Sequence, residues 1–285
     1  MKIKNGIVVG IGKAPIKCAG LLKENGIHVS VIEPVMRNFS CMESLCRLQG
    51  IEYRKMSEDT AGYLECLPEN TLIVSVCNNY VFSKKTLSRP NVFAINYHNA
   101  LLPRHRGMNA EAWSIYEQNK ESGVTWHKIE DGIDTGEILY QKRLEIGSDE
   151  TSLQLLNRQT KLAYDIFEAN IEDIIHWCIK RHKQTGDSSY HGIKDVPSNG
   201  RLSVDWNCDK TYAFLRAMDY GPIHTLGRPQ MNVNGTVYVW DKYIVEGTQE
   251  NKKGSNLVDN KIVLDYGSTR ISLMNIQPVN DNHDV

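Results

Sequence analysis

The chain has 285 residues, room for two domains of ordinary size, and its 41% apolar and 24% charged residues are the balance of a water-soluble globular protein. A formal net charge of −1 argues against a generally basic surface for nucleic acid, and no apolar run approaches the ~20 residues needed to span a bilayer. Seven cysteines, at 18, 41, 46, 66, 77, 178 and 208, form neither a Cys-x-x-Cys pair nor a Cys/His ligand spacing. Free thiols in a reducing cytoplasm are therefore expected, and no metal site.

The start, MKIKNGIVVGIG, is basic, but its short apolar stretch leads straight into a strand-turn pattern and reads as the first element of the fold, not a signal peptide. GIVVGI (6–11) predicts a strand, with Pro15 placed to begin a helix that ends near Gly26. HVSVIE (28–33) predicts the next strand, and Ser40 with Glu43 predicts a capping box opening a helix closed by Gly50. TLIVSVC (71–77) and VFAINYH (92–98) are further short runs rich in branched residues. A helix over 108–120 and strands over 124–130 and 137–145 complete an alternating pattern. Short buried strands separated by helices imply an α/β fold, a doubly wound, mostly parallel sheet covered on both faces.

From Asp149 to about His182 apolar residues recur near helical period, and a polar Gly/Ser-rich stretch follows. The expected division is a catalytic domain over 1–185, a linker over 186–200, a small β-rich domain over 201–278 and a disordered tail over 279–285. In the last part a helix begins at Lys210, and strands are expected over 236–247, 260–268 and 269–276. Tyr238, Trp240, Tyr243 and Tyr266 read as core residues of that domain.

Gly10 and Gly12 after the first strand, with Glu33 ending the second, sketch a dinucleotide fingerprint, but Pro15 stands where the third glycine belongs. A tight turn common to α/β folds explains the same residues, and a nicotinamide oxidoreductase is a minor alternative. More informative is INYHNALLPRHRG (95–107). Residues two apart in a strand share a face, so Asn96 and His98 point one way and Tyr97 the other. They sit at the carboxyl end of the strand, where open α/β sheets place ligands. An amide donor beside an imidazole suits acyl chemistry, one stabilising negative charge on oxygen and the other moving a proton. Strand-end Asn and His residues also cap turns, so both readings stand on the residues alone. His105 reads as a solvated loop residue. The acidic loop Glu130 to Gly136 follows a strand carrying His127; it reads as an ordinary turn capped by Asp134 or as a cation site, and with no third and fourth oxygen ligand at suitable spacing metal is set aside. A carboxylate brought beside His98 would orient the imidazole and raise its pKa.

NYHNALLPRHRG followed by GVTWHKIEDGIDTG resembles the folate-dependent formyltransferase family, over about the first 180 residues. Its pattern is Asn-x-His-x-x-Leu-Leu-Pro-x-x-(Arg/Lys)-Gly, then Gly-x-Thr-x-His, with an Asp seven residues after that His; His127 and Asp134 keep the separation. GRLSVDW and LRAMDYGPIHTLGRP more faintly resemble the smaller C-terminal domain of methionyl-tRNA and amino-sugar formyltransferases. The resemblance implies a Rossmann-like formyltransferase fold, 10-formyltetrahydrofolate as formyl donor, and Asn96, His98 and Asp134 as catalytic residues. In that reading Asn96 binds the oxyanion, His98 takes the amine proton and Asp134 orients His98. It also implies donor binding by Tyr80, Val81 and Phe82 and by Ile129, Glu130, Asp131 and Gly132, with main-chain hydrogen bonds to a pterin in an apolar slot.

The chain departs from the family in having Asn99 and Asn109 where proline is common. GMNAEAW and GVTWH resemble formyltransferase domains that act on carrier-tethered amino acids, which leaves the acceptor open; Asn109 is the residue expected to bind it. From Gly200 onward nine Lys/Arg face ten Asp/Glu, which disfavours a tRNA acceptor. The expectation is a cytoplasmic biosynthetic enzyme that formylates a primary amine of a small metabolite, such as a nucleotide-linked amino sugar or an amino acid free or on a carrier protein. The alternatives are a formyltetrahydrofolate hydrolase, a methionyl-tRNA formyltransferase and a non-catalytic folate-binding module. No membrane partner is expected, and the oligomeric state is not readable.

Overall fold

The computed structural model describes residues 2–34 and 40–279. They belong to two compact units, one of residues 1–107, 122–144 and 157–190, the other of 108–121, 145–156 and 191–285. This division differs from the expected single cut within 186–200, since residues 108–121 and 145–156, both inside the expected 1–185 domain, belong to the second unit. The tail from 280 onward lies outside the described residues.

The first unit is built on a seven-stranded sheet. Its strands are β1 (Asn5–Gly10), β2 (His28–Glu33), β3 (Glu52–Lys55), β4 (Thr71–Val76), β5 (Val92–His98), β6 (Glu121–Lys128) and β7 (Ile138–Glu145), in the order β3-β2-β1-β4-β5-β6-β7. The first five run parallel, and β6 pairs antiparallel to β5. Strand alternation divides the apolar residues into two cores. Val8, Val31, Val74 and Ile95 join one, with Trp126 and Phe167. Ile7, Val9, Ile32, Ile73 and Ala94 join the other. Burial of each such side chain is worth ~1.5–3 kcal/mol, so a one-residue slip of any strand would cost both cores.

Helices α1 (Lys13–Glu24), α2 (Met42–Leu48), α3 (Thr60–Glu65) and α4 (Lys84–Leu87) connect the parallel strands. The predicted capping box does not form. Cys41 is the N-cap of α2, Ser40 Oγ accepts from Met42 N at 3.1 Å, and Glu43 instead pairs with Arg47. The dinucleotide features have packing roles. A Cβ on Gly10 would lie 1.8 Å from the Val76 carbonyl oxygen, and the buried Glu33 accepts a hydrogen bond from Tyr53.

After β6 and β7, helix α6 (Ser152–Ala169) is followed by α7 (Ile171–His176), the chain breaking at Asn170 and again at Trp177, which is left-handed with φ 53°. The expected helix to His182 therefore stops at His176. Beyond it the chain is bonded in place: His182 exchanges main-chain hydrogen bonds with Ile138, and Ser189, within the expected linker, holds the Arg106 amide at 2.9 Å.

The second unit contains α5 (Ala110–Tyr116), shorter than the 108–120 expected, and α8 (Cys208–Met218), capped by Asn207 accepting from Lys210 N at 2.8 Å. A buried hydrogen bond runs from Tyr220, just past α8, to Glu111 of α5, and another from Ser152 to the Ala217 carbonyl of α8; they tie 108–121 and 145–156 into this unit. A four-stranded sheet holds residues 201–202, β8 (Gln230–Val233), β9 (Thr236–Val239) and residues 277–278. A separate hairpin pairs β10 (Lys242–Val258) with β11 (Lys261–Met274). The strand expected over 236–247 is split at Trp240 and Asp241, and the two expected over 260–276 are one: Gly267, at φ 77°, stays paired with Lys252, and the irregularity lies on the other strand between Gly247 and Lys252. Trp240 is buried with Phe214 and Leu264, and Tyr238, Tyr243 and Tyr266 pack on the same core, as read.

Candidate active site

On β5 the side of the sheet that carries Val92 and Ala94 continues through Asn96 to His98 at the carboxyl rim. Apolar residues anchor the strand up to that point, and the polar pair begins where the sheet ends. Antiparallel pairing then sets Asn96 opposite His127 and Tyr97 opposite Trp126. Opposed residues share a face, so His127 joins the polar side while the Tyr97 and Trp126 rings, 6.1 Å apart, enter the other core.

The loop after β6 brings Asp134 to the same place. Gly136 is required there, since a Cβ would lie 1.8 Å from the Lys128 carbonyl oxygen. Asp134 itself is left-handed, with φ 53°, a conformation Asp tolerates better than most residues. One carboxylate oxygen, Oδ2, accepts from Gly107 N at 2.8 Å and lies 3.4 Å from His98 Nδ1. The other, Oδ1, lies 3.4 Å from Asn96 Nδ2 and 3.2 Å from His127 Nε2. Asn96, His98 and Asp134 thus converge, although they are spread over 38 residues of chain.

Hydrogen-bond partners assign the ring nitrogens. His98 Nε2 is 2.7 Å from the His105 carbonyl, which can only accept, so Nε2 carries the hydrogen and Nδ1 is the nitrogen that gains or loses a proton. His127 Nδ1 lies 2.9 Å from the Lys128 carbonyl, and its Nε2 lies between Asn96 Nδ2 at 3.1 Å and Asp134 Oδ1 at 3.2 Å. Burial lowers the His98 pKa, with His127 adding to the shift, while Asp134 and the His105 carbonyl oppose it. For Asp134, burial alone would raise the pKa, but the two imidazoles and the Gly107 amide outweigh it and bring the value down to about 2. With His98 uncharged, the Gly107 N–H and the His127 ring remain against the carboxylate. The result is a neutral base backed by an ionised acid.

The expected donor-binding residues fall on two neighbouring loops. Phe82 is buried in the core that contains Ala94, and Tyr80 and Ile129 pack against that core. The Tyr80 and Phe82 rings meet edge-on at 5.2 Å. Asn78 shapes the first loop by accepting from Tyr80 N at 2.9 Å and donating to Ser75 Oγ at 3.1 Å. Val81 is exposed, as are Asp131 and Gly132; Asp131 pairs with Lys84 at 2.7 Å, and Glu130 pairs with Lys128 at 2.8 Å. Asn109 belongs to the second unit, where it precedes α5 in a left-handed conformation, φ 55°, without capping that helix through its side chain.

His105 is buried, not solvated: its turn is left-handed, its N–H is held by Ser189 Oγ at 2.8 Å and its carbonyl by His98. His127, already part of the motif, is a fourth member of the polar cluster, set opposite Asn96 by strand register. Two glutamines also brace the site. Gln159 Nε2 donates to the Asn99 carbonyl at 2.7 Å, and Gln141 Nε2 to the Leu102 carbonyl at 3.0 Å.

A family model described as "Formyl transferase" matches residues 20–171, more than half of the chain. The chain belongs to the formyl transferase family and is an enzyme of that class. It is 25% identical to the GDP-perosamine N-formyltransferase of Brucella melitensis over 81% of this chain and 90% of that protein. It is 29% identical to the methionyl-tRNA formyltransferase of Alkaliphilus metalliredigens, over 66% of this chain and 59% of that protein. In fold it is similar to WlaRD, a sugar 3N-formyltransferase solved with dTDP and 5-N-formyl-THF, at TM-score 0.74 and 20% identity over 99% of both chains. An N-formyltransferase from Helicobacter canadensis, solved with folinic acid and dTDP-3-aminofucose, also has TM-score 0.74, at 18% identity over 95% of this chain and 99% of that one.

Proposed function

We propose that this enzyme moves a formyl group from 10-formyltetrahydrofolate to the primary amine of a nucleotide-linked amino sugar. The observation that carries the chemistry is the convergence of Asn96, His98 and Asp134 at the carboxyl rim of β5. The sugar acceptor is supported by reach: the GDP-perosamine relative aligns over 90% of its length, whereas the tRNA-formylating relative aligns over 59%. The near-neutral charge of residues 200–285 agrees with that choice.

The residues fit the donor. Tyr80 and Ile129, backed by the buried Phe82, offer an apolar wall for a flat ring, and the loop main chain offers polar edges. When bound, the folate supplies an electrophilic formyl carbon and a nitrogen leaving group. Asn96 Nδ2 donates to the formyl oxygen as that oxygen gains negative charge. Its hydrogen toward Asp134, at 3.4 Å, sits at the long limit of a hydrogen bond and is the one that turns to the substrate. His98 Nδ1 takes the proton lost by the attacking amine, becomes an imidazolium against Asp134 Oδ2, and returns the proton to the departing nitrogen. The balance is one C–N bond formed, one broken and one proton relayed.

In this reading Asn109 contributes to holding the acceptor, and Asn109→Ala raises the acceptor KM more than it lowers kcat. The deciding experiment mixes purified protein, 10-formyltetrahydrofolate and a panel of amines: dTDP- and GDP-linked amino sugars, free amino acids and methionyl-tRNA. Formylation of a sugar nucleotide is expected. Formate released at full rate with no amine present would identify a hydrolase instead.

A further inference from the structure

The segment that follows α7 has the composition of a linker, KQTGDSS, yet one of its side chains has all of its hydrogen-bonding groups engaged by the catalytic loops. Gln184 Nε2 donates to the Asp134 carbonyl at 2.8 Å and to the Gly136 carbonyl at 2.8 Å. Its Oε1 accepts from Arg106 Nε at 3.2 Å and from Arg106 Nη2 at 2.7 Å. Arg106 directly precedes Gly107, whose N–H holds the Asp134 carboxylate, and the Arg106 amide is itself held by Ser189 of the same segment. One amide therefore closes a ring: Gln184 to the Asp134 backbone, Asp134 side chain to Gly107, Gly107 through the chain to Arg106, and Arg106 back to Gln184.

We infer that Gln184 is a positioning residue of the formyl-transfer reaction, and that residues 182–189 are a strap that sets the carboxylate of Asp134 against His98. The inference rests on the function proposed above. Its physical basis is that Asp134 is held in a left-handed conformation by two opposite pulls, Gly107 on its side chain and Gln184 on its carbonyl. Two carbonyls accept from one amide and a guanidinium donates twice to its oxygen, an arrangement no other side chain reproduces: Glu loses both donors, Met loses everything, and Asn is one methylene too short.

The test uses the full chain. Gln184→Met keeps the volume and adds no charge. It is expected to lower kcat by about 10- to 100-fold, with the donor KM unchanged. A group that merely held the fold together would not alter the titration of His98, so that ring is followed by NMR in the protein without substrates. The charged or titratable groups facing His98 are Asp134, which raises its pKa, and His127, which lowers it. Displacing Asp134 removes the raising influence, so the His98 titration must move to lower pH in the variant. An unchanged kcat, or a reduced kcat with the titration unmoved, overturns the inference. Gln184→Glu retains the acceptor for Arg106 and loses both donors; if Gln184→Met does not fold, a kcat for Gln184→Glu within about twofold of wild type overturns it equally. Because the titration needs no substrate, failure of the wild-type enzyme to formylate any amine would sink the proposed function and leave this result separately readable.

Discussion

Strand β5 and the hairpin β10–β11 solve opposite problems. β5 has seven residues and a neighbour on each side, and it ends in a half-buried Asn96 and a buried His98. β10 has 17 residues and pairs only with β11, and it carries Ile244, Val245, Leu257 and Val258 exposed to solvent. Apolar exposure of scattered residues costs little, because more than half of any protein surface is apolar. Polar burial costs a great deal unless every group is satisfied. The cluster of His98, His127, Asn96 and Asp134 persists because each group in it has a partner among strands, loops and the strap. A site of this kind is expensive to build and sensitive to single atoms, whereas the hairpin tolerates change on its outer strand.

That contrast can be broken experimentally. The largest expected effects lie in the site: His98→Ala should lower kcat by about 10²–10⁴-fold and Asn96→Ala by about 10²–10³-fold, with folate binding retained. Near-normal turnover in the His98 variant would end the assignment. On the inner strand of the hairpin, Leu264→Ala removes a buried side chain and should cost about 2–5 kcal/mol in denaturant unfolding.

A smaller effect concerns pH. The neutral imidazole is the base, so rate disappears as His98 takes up a proton; burial lowers that pKa, and activity should persist below the ordinary histidine value of about 6.5. The measurement is kcat against pH with the concentration of unprotonated acceptor held constant. An acid limb above that value would contradict the assigned environment. Least affected is the outer strand: Leu257→Ser should change stability by no more than about 0.5 kcal/mol and leave turnover untouched.

That Asn96 and His98 share one face was legible because strand alternation is a property of neighbouring residues; the place of Asp134 beside them, 38 positions from Asn96, was open on the residues alone and was implied only by the family resemblance. The parallel sheet was legible for the same reason, from the spacing of apolar runs. His127 was visible as a residue but not as a partner of Asn96, since antiparallel register across 31 positions depends on how two strands align. His105 looked solvated because nothing local says that Ser189 lies 84 residues away to enclose its turn. Gln184 sat in a polar stretch indistinguishable from a linker, and segments 108–121 and 145–156 gave no sign of joining the second unit.

By itself, then, the order of residues determined the elements, the apolar faces and the kinds of chemistry available at the end of β5. Only tertiary structure decided which carbonyl orients His98, which amides hold Asp134 and which distant side chain closes the ring around them. The reason is physical: helices and strands follow from periodicity over a few residues, while a hydrogen bond requires two atoms about 3 Å apart, and that separation is set by the packing of the whole unit.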